Sequence, residues 1–428
     1  MLDIKVIREN PDLVKAGATK KRMPDRIAAI DQVLALDAEI RGLLPKLEGM
    51  RAEQKSAGKQ IGKLGPQERE LHLAGQRELK ERLVALEEQE KALRAQLEQV
   101  MLLVPNLPAP EVPDGKDDTE NREVRRAGTV PKFAFAPRPH YELGERQGWL
   151  EFERAARIAG ARTYFLFGDL AYLHDAVLRY ACDHMIRKGF TLVDPPLLVR
   201  NEAMVGTAFF PGGEEQAYRA ERDELNLIGT AEVPTTSIHL GEILDEEDLP
   251  KRFVARSACF RREAGTYGKD TRGLYRVHQF HKVEQVIIDV ADSERSRLHH
   301  EAITQYAEEM LQALELPYRV VAVCGGDLGV PQVFKYDIEC WMPSRNGYGE
   351  THSASRFHDF QARRLNLRYR RKEDKKVAFC HTLNNTVIAS PRILIPILEV
   401  YQQQDGTVRV PAALVPYMQG RTVIGNAL

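Results

Sequence analysis

Residues 260–280 read FRREAGTYGKDTRGLYRVHQF, with Arg261, Arg262, Lys269, Arg272 and Arg276 set around Glu263 and Asp270. Phe260 and Phe280 stand at the ends, and Gly265, Gly268 and Gly273 loosen the middle. The stretch has no apolar face of its own to pack. Strand-like sequence on both sides makes it a loop that aims several guanidinium groups at one place. Arg is a rigid fork that matches phosphate oxygens two at a time. A glutamate among them can accept from an amino group, and an aromatic ring can lie against a base. This combination suits a nucleotide; a charged surface hairpin is the plain alternative.

Two further clusters suit the same ligand. ETHS (350–353) places Glu350 and Ser353 close together. A carboxylate and a hydroxyl are hard oxygen donors of the kind Mg²⁺ takes alongside phosphates, although four such residues also make an ordinary turn. In NTVIASPRILIPILE (385–399) a strand ends and Ser390-Pro391-Arg392 opens a helix. Ser is a good N-cap and Pro fits the first turn. Arg392 then stands at a helix N-terminus, where backbone N–H groups favour anions, and it suits a terminal phosphate. Neither GxxxxGK[ST] nor a strand–GxGxxG–helix unit occurs. A nucleotide bound here is bound without a P-loop.

Elements of two kinds must position these clusters. Up to residue 105 the pattern is helical. Val33, Leu36, Ile40, Leu43, Leu47, Met50, Gln54, Ala57, Ile61 and Leu64 form a heptad seam. Gly65-Pro66 breaks it, and Leu79, Leu83, Leu86, Glu90, Leu93, Leu97, Val100 and Val104 form a second. Two long helices joined by a short turn run antiparallel, each roughly 60 Å long. Pro45 should kink the first. Arg51, Lys55, Lys59 and Lys63 recur every four residues, so they form one stripe. It is either a solvated face or a ladder for a phosphate backbone.

Residues 104–128 are rich in Pro, Asp and Gly and read as a linker and turn. This divides the chain into 1–105, a linker at 106–130, and 131–428. Beyond the linker, strand-like runs at 189–199, 224–233, 252–263, 274–290, 318–326, 333–343 and 377–389 alternate with helical patterns at 169–189, 293–315 and 392–404. Strand pairs joined by short polar loops predominate. That predicts an α+β domain with a largely antiparallel sheet.

Composition bounds the class. The chain has 428 residues, 29% charged, with a formal net charge of −1, which excludes a globally basic nucleic-acid binder but not a local basic patch. No apolar run reaches the roughly 18 residues of a membrane span, and the N-terminus does not read as a signal peptide. Five scattered cysteines without CxxC argue for reduced thiols in a cytoplasmic protein and against a zinc site.

Taken in order, these blocks resemble the bacterial type of seryl-tRNA synthetase, a class II aminoacyl-tRNA synthetase. The resemblance runs from MLDIKVIRENPDLV and the hairpin through TAEVP (230–234), FRREAGTYGKDTRGLYRVHQFHKVE (260–284), KYDIECWMP (335–343) and DFQARR (359–364) to TLNNTVIASPRILIPILEVYQQQDGTVRVPAAL (382–414). It implies a class II antiparallel sheet flanked by helices, with an N-terminal antiparallel coiled-coil arm. It also implies a homodimer with 169–199, including Pro196, at the interface. The implied chemistry is activation of L-serine by ATP to seryl-adenylate, then transfer to tRNA-Ser and to the selenocysteine tRNA.

By position, the resemblance implies an ATP site of Arg261, Arg262, Glu263, Arg276, Val277, His278, Gln279, Phe280, Glu350, Thr351, His352, Ser353 and Arg392. Arg261 would hold the α-phosphate and the serine carboxylate, Arg276 and Arg392 the outer phosphates, and Glu263 the adenine amino group. Phe280 would stack on the base. Arg261 and Arg392 would be catalytic, and Glu350 and Ser353 would hold Mg²⁺, with no zinc. Thr230, Ala231, Glu232, Arg261, Glu284, Asn384 and Thr386 would form the serine pocket. Arg51, Lys55, Lys59 and Lys63 would meet the long arm of the tRNA, and Lys269 and Arg272 its incoming end.

The chain departs from the family pattern in places. Asn385, Val387 and Pro391 replace glycines of LNGSGLAVGR, and TAFFPGGEEQAY (207–218) replaces GTGxLPKF. A non-catalytic paralogue serving as an RNA-binding or structural protein would have lost Arg261, Glu350 or Arg392, yet all remain. A carrier-protein-loading homologue would lack the hairpin.

Overall fold

The computed structural model describes residues 1–60, 65–265, 268 and 272–427. The chain divides into two compact units, Met1–Pro105 and Asn106–Leu428.

The first unit is helical: α1 (Ile4–Glu9), α2 (Pro11–Lys20), α3 (Asp25–Gln60) and α4 (Pro66–Met101). Helices α3 and α4 have 36 residues each, about 54 Å at the α-helical rise. Arg51 pairs with Glu87, and His72 Nε2 lies 2.9 Å from Ala57 O, so the two run antiparallel. Their seam buries Val33, Leu36, Ile40, Leu43 and Leu47 against Leu83, Leu93 and Val100, the apolar positions of the heptad pattern. Helix α3 continues through Pro45.

The second unit is built on an eight-stranded sheet. Its strands are β1 (Arg122–Ala127), β2 (Thr191–Val193), β3 (Lys251–Phe260), β4 (Gln279–Asp289), β5 (Tyr318–Ala322), β6 (Phe334–Met342), β7 (Gly347–His358) and β8 (His381–Ser390). The order is β1-β5-β6-β7-β8-β4-β3-β2. Every pairing is antiparallel except β2 with β3.

Alternation along the central strands separates two faces. Val283 and Ile287 of β4, Leu383 and Val387 of β8, and Ile338 and Cys340 of β6 share one core with helices α5 (Gly168–Arg187), α7 (Ser293–Ala313) and α9 (Leu394–Tyr401). The other face of β4 begins with Phe280, Lys282 and Glu284. It then turns apolar at Val286 and Ile288, which are covered by α8 (Phe360–Leu365). One face therefore supplies the core and the other a polar floor at one end.

Several local readings change. The segment read as a linker, 106–130, is built into the second unit. Asn106 Nδ2 donates to Pro331 O and Phe357 O, Ala109 and Val112 join a small core, and β1 is the edge strand on β5. The run 224–233 splits into a short strand, Leu225–Leu227, and the helix α6 (Glu232–Thr236). The run 377–389 splits between two sheets. ETHS lies inside the twelve-residue strand β7. Helix α9 starts at Leu394, so Ser390 ends β8 rather than capping a helix, and its Oγ meets His174 Nδ1 at 2.8 Å. Among the described residues no helix is long and apolar enough to cross a membrane.

Candidate active site

A cavity opens over the polar floor. It is lined by Arg261 and Glu263 after β3, Leu274, Tyr275 and Val277 before β4, and Phe280 and Lys282 on β4. Glu350, Thr351 and Ser353 of β7 line it as well, with Thr386, Ala389 and Ser390 of β8, then Pro391 and Arg392. Three segments far apart in sequence meet because β7, β8 and β4 are neighbours in the sheet.

Two guanidinium groups face this space. Arg261 lies 5.2 Å over the Phe280 ring, and its Nε donates to Gly229 O. Arg392 donates to Glu350 O at 3.1 Å and stacks 4.4 Å from the Tyr275 ring, on which Arg345 also stacks at 3.8 Å. Two guanidinium groups on one ring make Tyr275 and Arg345 part of the cationic end of the site. The loop sequence marked neither.

Glu350 and Ser353 both line the cavity although they are three positions apart. A regular strand would put them on opposite faces. Pairing with β6 shifts between Ile338↔His352 and Glu339↔Glu350, leaving Thr351 as an extra residue, and this bulge restores the shared face. Burial pushes the Glu350 carboxyl up, but Arg392, Lys335, Arg261 and Lys282 outweigh it and hold the group below its ordinary value. Asp337 stands opposite Ser353, with Lys335 Nζ 2.9 Å from its Oδ2. Burial pushes its carboxyl up in spite of Lys335.

A second register shift, between Val283 and Glu284 of β4, aligns Glu284 with Thr386. Thr386 Oγ1 is 3.5 Å from Glu284 Oε2, and Lys282 Nζ is 2.7 Å from that oxygen. Glu232, at the start of α6, takes a hydrogen bond from Gln361 Nε2 at 2.8 Å, and Thr230 Oγ1 accepts from the Glu232 N–H. Burial, then the Glu284 charge, push Glu232 up to about 7. Ala231, Asn384 and Glu284 are buried with these groups at the inner end of the site, outside the cavity's lining, which reaches Glu284 through Lys282 and Thr386.

The loop 207–218, which differs from the family pattern, fastens this site. Gln216 O accepts from Arg262 N–H at 2.9 Å, while the Gln216 side-chain amide both donates to Ala264 O and accepts from Ala264 N–H. Glu263 sits between those anchors with φ 52°, a left-handed conformation that costs a non-glycine residue energy. Gln361 and Arg364 of α8 hold the start of the loop through Thr207 O, Val205 O and Phe210 O. None of these contacts carried a local signal.

Some expected residues stand elsewhere. Arg276 pairs with Glu263 at 3.5 Å and is not among the cavity's lining. His278 Nδ1 lies 3.0 Å from Arg261 O, so it shapes the backbone. Gln279 lines a separate hollow with His174 and His281, because β4 alternates. His352 is buried and bonded to Val387 O and Thr351 Oγ1. Arg262 is exposed. On the arm, Arg51 is paired with Glu87 and Lys55 is exposed. Lys63, Lys269 and the side chain of Lys59 lie outside the described residues.

Known proteins resemble both units. A family model described as the seryl-tRNA synthetase N-terminal domain matches residues 1–108, and the tRNA synthetase class II core domain (G, H, P, S and T) matches 216–401. The serine–tRNA ligase of Deinococcus radiodurans is 49% identical over 426 residues, covering 100% of this chain and 99% of the relative. That of Thermotoga petrophila is 47% identical, covering 97% and 98%. The crystal structure of Pyrococcus horikoshii seryl-tRNA synthetase complexed with ATP superposes with a TM-score of 0.95 at 41% identity, covering 100% of both chains. A Giardia lamblia prolyl-tRNA synthetase, at 13% identity and TM-score 0.56, covers 64% of this chain and 54% of its own, and shares the fold alone. With both units and the full length matching in this way, the chain belongs to the seryl-tRNA synthetase family.

Proposed function

We propose that this enzyme condenses L-serine with ATP to seryl-adenylate and pyrophosphate, then transfers the seryl group to the terminal ribose of tRNA-Ser and of the selenocysteine tRNA. The observation that carries the reading is one cavity lined by Arg261, Arg392 and the Glu350–Ser353 pair together with Lys282 and Thr386, which both reach the buried carboxylate of Glu284. The ATP complex of the Pyrococcus relative supports a nucleotide in this space.

The serine carboxylate is already a nucleophile, so activation needs no general base. It attacks the α-phosphorus; the bond to the β-phosphate oxygen breaks, and pyrophosphate takes the electron pair. Positioning and charge neutralisation supply the rate. Arg261 spans the serine carboxylate and the α-phosphate, Arg392 holds the outer phosphates, Phe280 carries the adenine, and Glu263 accepts from its amino group. Arg276 acts by holding Glu263 and reaches phosphate only by leaving it.

Glu350 and Ser353 fit Mg²⁺: both are hard oxygen donors on one face of a bulged strand. Two protein donors leave the remaining positions to the phosphate oxygens and waters that Mg²⁺ keeps as its other ligands. When bound, the ion offsets phosphate charge.

The working form is a cytoplasmic homodimer. Ile158, Phe165, Phe167, Ile186, Leu192, Leu197 and Leu198 are exposed, and two hollows that both include His281 open among them. Exposed apolar area of that kind suits a second copy.

Charge reversal at Arg51, Lys55, Lys59 and Lys63 tests the arm. Serylation of tRNA-Ser should fall by about tenfold or more at moderate salt while serine activation stays intact. Unchanged serylation would remove the arm from the tRNA interface.

A further inference from the structure

The inner end of the site holds two carboxyl groups close enough to repel, Glu284 on β4 and Glu232 on α6. Both are buried. Their partners differ in kind. Glu232 receives a neutral amide, the Nε2 of Gln361 at 2.8 Å. Glu284 receives an ammonium, the Nζ of Lys282 at 2.7 Å, from a residue two positions earlier on the same face of β4. Lys282 is itself 8% exposed and lines the cavity. A lysine so enclosed loses hydration, and an ion pair with good geometry is what makes its burial tolerable. The other groups facing Glu284 are Arg261 and Cys259 at the end of β3, Glu232 on α6, and Thr386 of β8, whose hydroxyl is 3.5 Å away.

We propose that Lys282 is a positioning residue for amino-acid selection. Its ammonium, 2.7 Å from Oε2, favours the charged form of Glu284 against burial and turns the carboxyl as an acceptor for the hydroxyl of the bound amino acid. This rests on the reading of Glu284 as the floor of the serine pocket. An ionised acceptor discriminates better than a neutral acid. A hydrogen bond to a charged group is stronger, and leaving that group unpaired, as alanine would, costs more. Burial already holds the Glu284 carboxyl above its ordinary value with Lys282 beside it, and losing that ammonium pushes it further towards the protonated form. Its acceptor character then returns as the pH rises.

Serine-dependent ATP–pyrophosphate exchange tests this with the full-length enzyme, from about pH 6 to about pH 9. Lys282→Met should raise the serine KM at neutral pH by roughly tenfold or more, with a smaller change in ATP KM. Raising the pH should then recover about tenfold per unit until Glu284 ionises. It should also narrow the preference for serine over alanine. Lys282→Arg keeps the charge and should keep the wild-type profile, and it covers the case in which the methionine variant fails to fold. A serine KM profile for Lys282→Met parallel to wild type, or a pH profile of Lys282→Arg displaced to alkaline values, overturns the proposal. Glu284→Gln separates the two levels. If it loses serine selection while Lys282→Met follows the wild-type profile, only the role of Lys282 falls. If Glu284→Gln keeps the wild-type serine KM, the pocket reading falls with it.

Discussion

Glu350 and Ser353 share one face of a strand because Thr351 is an extra residue between them, opposite a shift in the pairing with Ile338 and Glu339. That geometry makes the identity of position 353 strict. Ser353→Ala should lower serine activation on the order of 10²-fold, the scale for losing one group that stabilises developing charge. Moving the hydroxyl one place, as Ser353→Ala with Ala354→Ser, should not rescue it, since Ala354 lies fully buried on the other face. Exchange assays over a magnesium titration check this; rescue by the shifted hydroxyl would contradict the bulge.

Gly273 is held at φ 83°, and a Cβ there would overlap Nε2 of His140. That nitrogen accepts from Leu274 N–H at 3.1 Å, and the opposite ring nitrogen meets Glu399 at 2.8 Å. The imidazole thus ties the return of the nucleotide loop to helix α9. Gly273→Ala should cost about 1–3 kcal/mol and raise the ATP KM, because the anchor and the backbone conformation are lost together. Thermal unfolding and exchange kinetics read both effects.

Glu232 carries a pH signature. Its carboxyl is pushed up to about 7 in the fold, chiefly by burial and then by Glu284. Between about pH 4.5 and about pH 7 the folded state therefore binds more protons than the unfolded chain, and stability falls as pH rises through that window. The full effect is about 3 kcal/mol at one pKa unit per 1.36 kcal/mol. Glu232→Gln should remove this slope. Denaturant unfolding at about pH 5 and about pH 8 should show wild type losing more than the variant by roughly that amount; identical slopes would place the proton elsewhere.

Gln216 brackets Glu263 from both sides through Arg262 and Ala264. Removing its amide should let the left-handed Glu263 relax. Gln216→Ala should raise the ATP KM about tenfold and weaken the preference for ATP over ITP, while the serine KM stays put. A change in serine KM of the same size would mean that the loop supports the whole site rather than the adenine end.

Much of this was legible in the sequence. The heptads of α3 and α4 report burial directly, because their apolar positions repeat with the period of the element. The arginine-rich loop and Arg392 were readable because charge density without an apolar face has few structural uses. The rest depended on pairing between distant segments. Strand β7 is rich in Ser, His and Gly, so ETHS read as a turn; burial under α7, where His300 bonds Ala354 O, makes it a strand. Lys282 carries no local mark that separates it from a surface lysine. Its meaning comes from the sheet, which sets Glu284 beside Thr386 and leaves an ammonium between them and the cavity.

Serine activation in the cavity between β3, β4, β7 and β8 is directly measurable. Pyrophosphate exchange into ATP, measured with serine, threonine and alanine and with Arg261→Ala beside wild type, tests it most directly. Exchange should be rapid with serine, far slower with the other two, and lower on the order of 10²-fold or more in the variant. No serine-dependent exchange, exchange equal with threonine, or full activity in Arg261→Ala would contradict it.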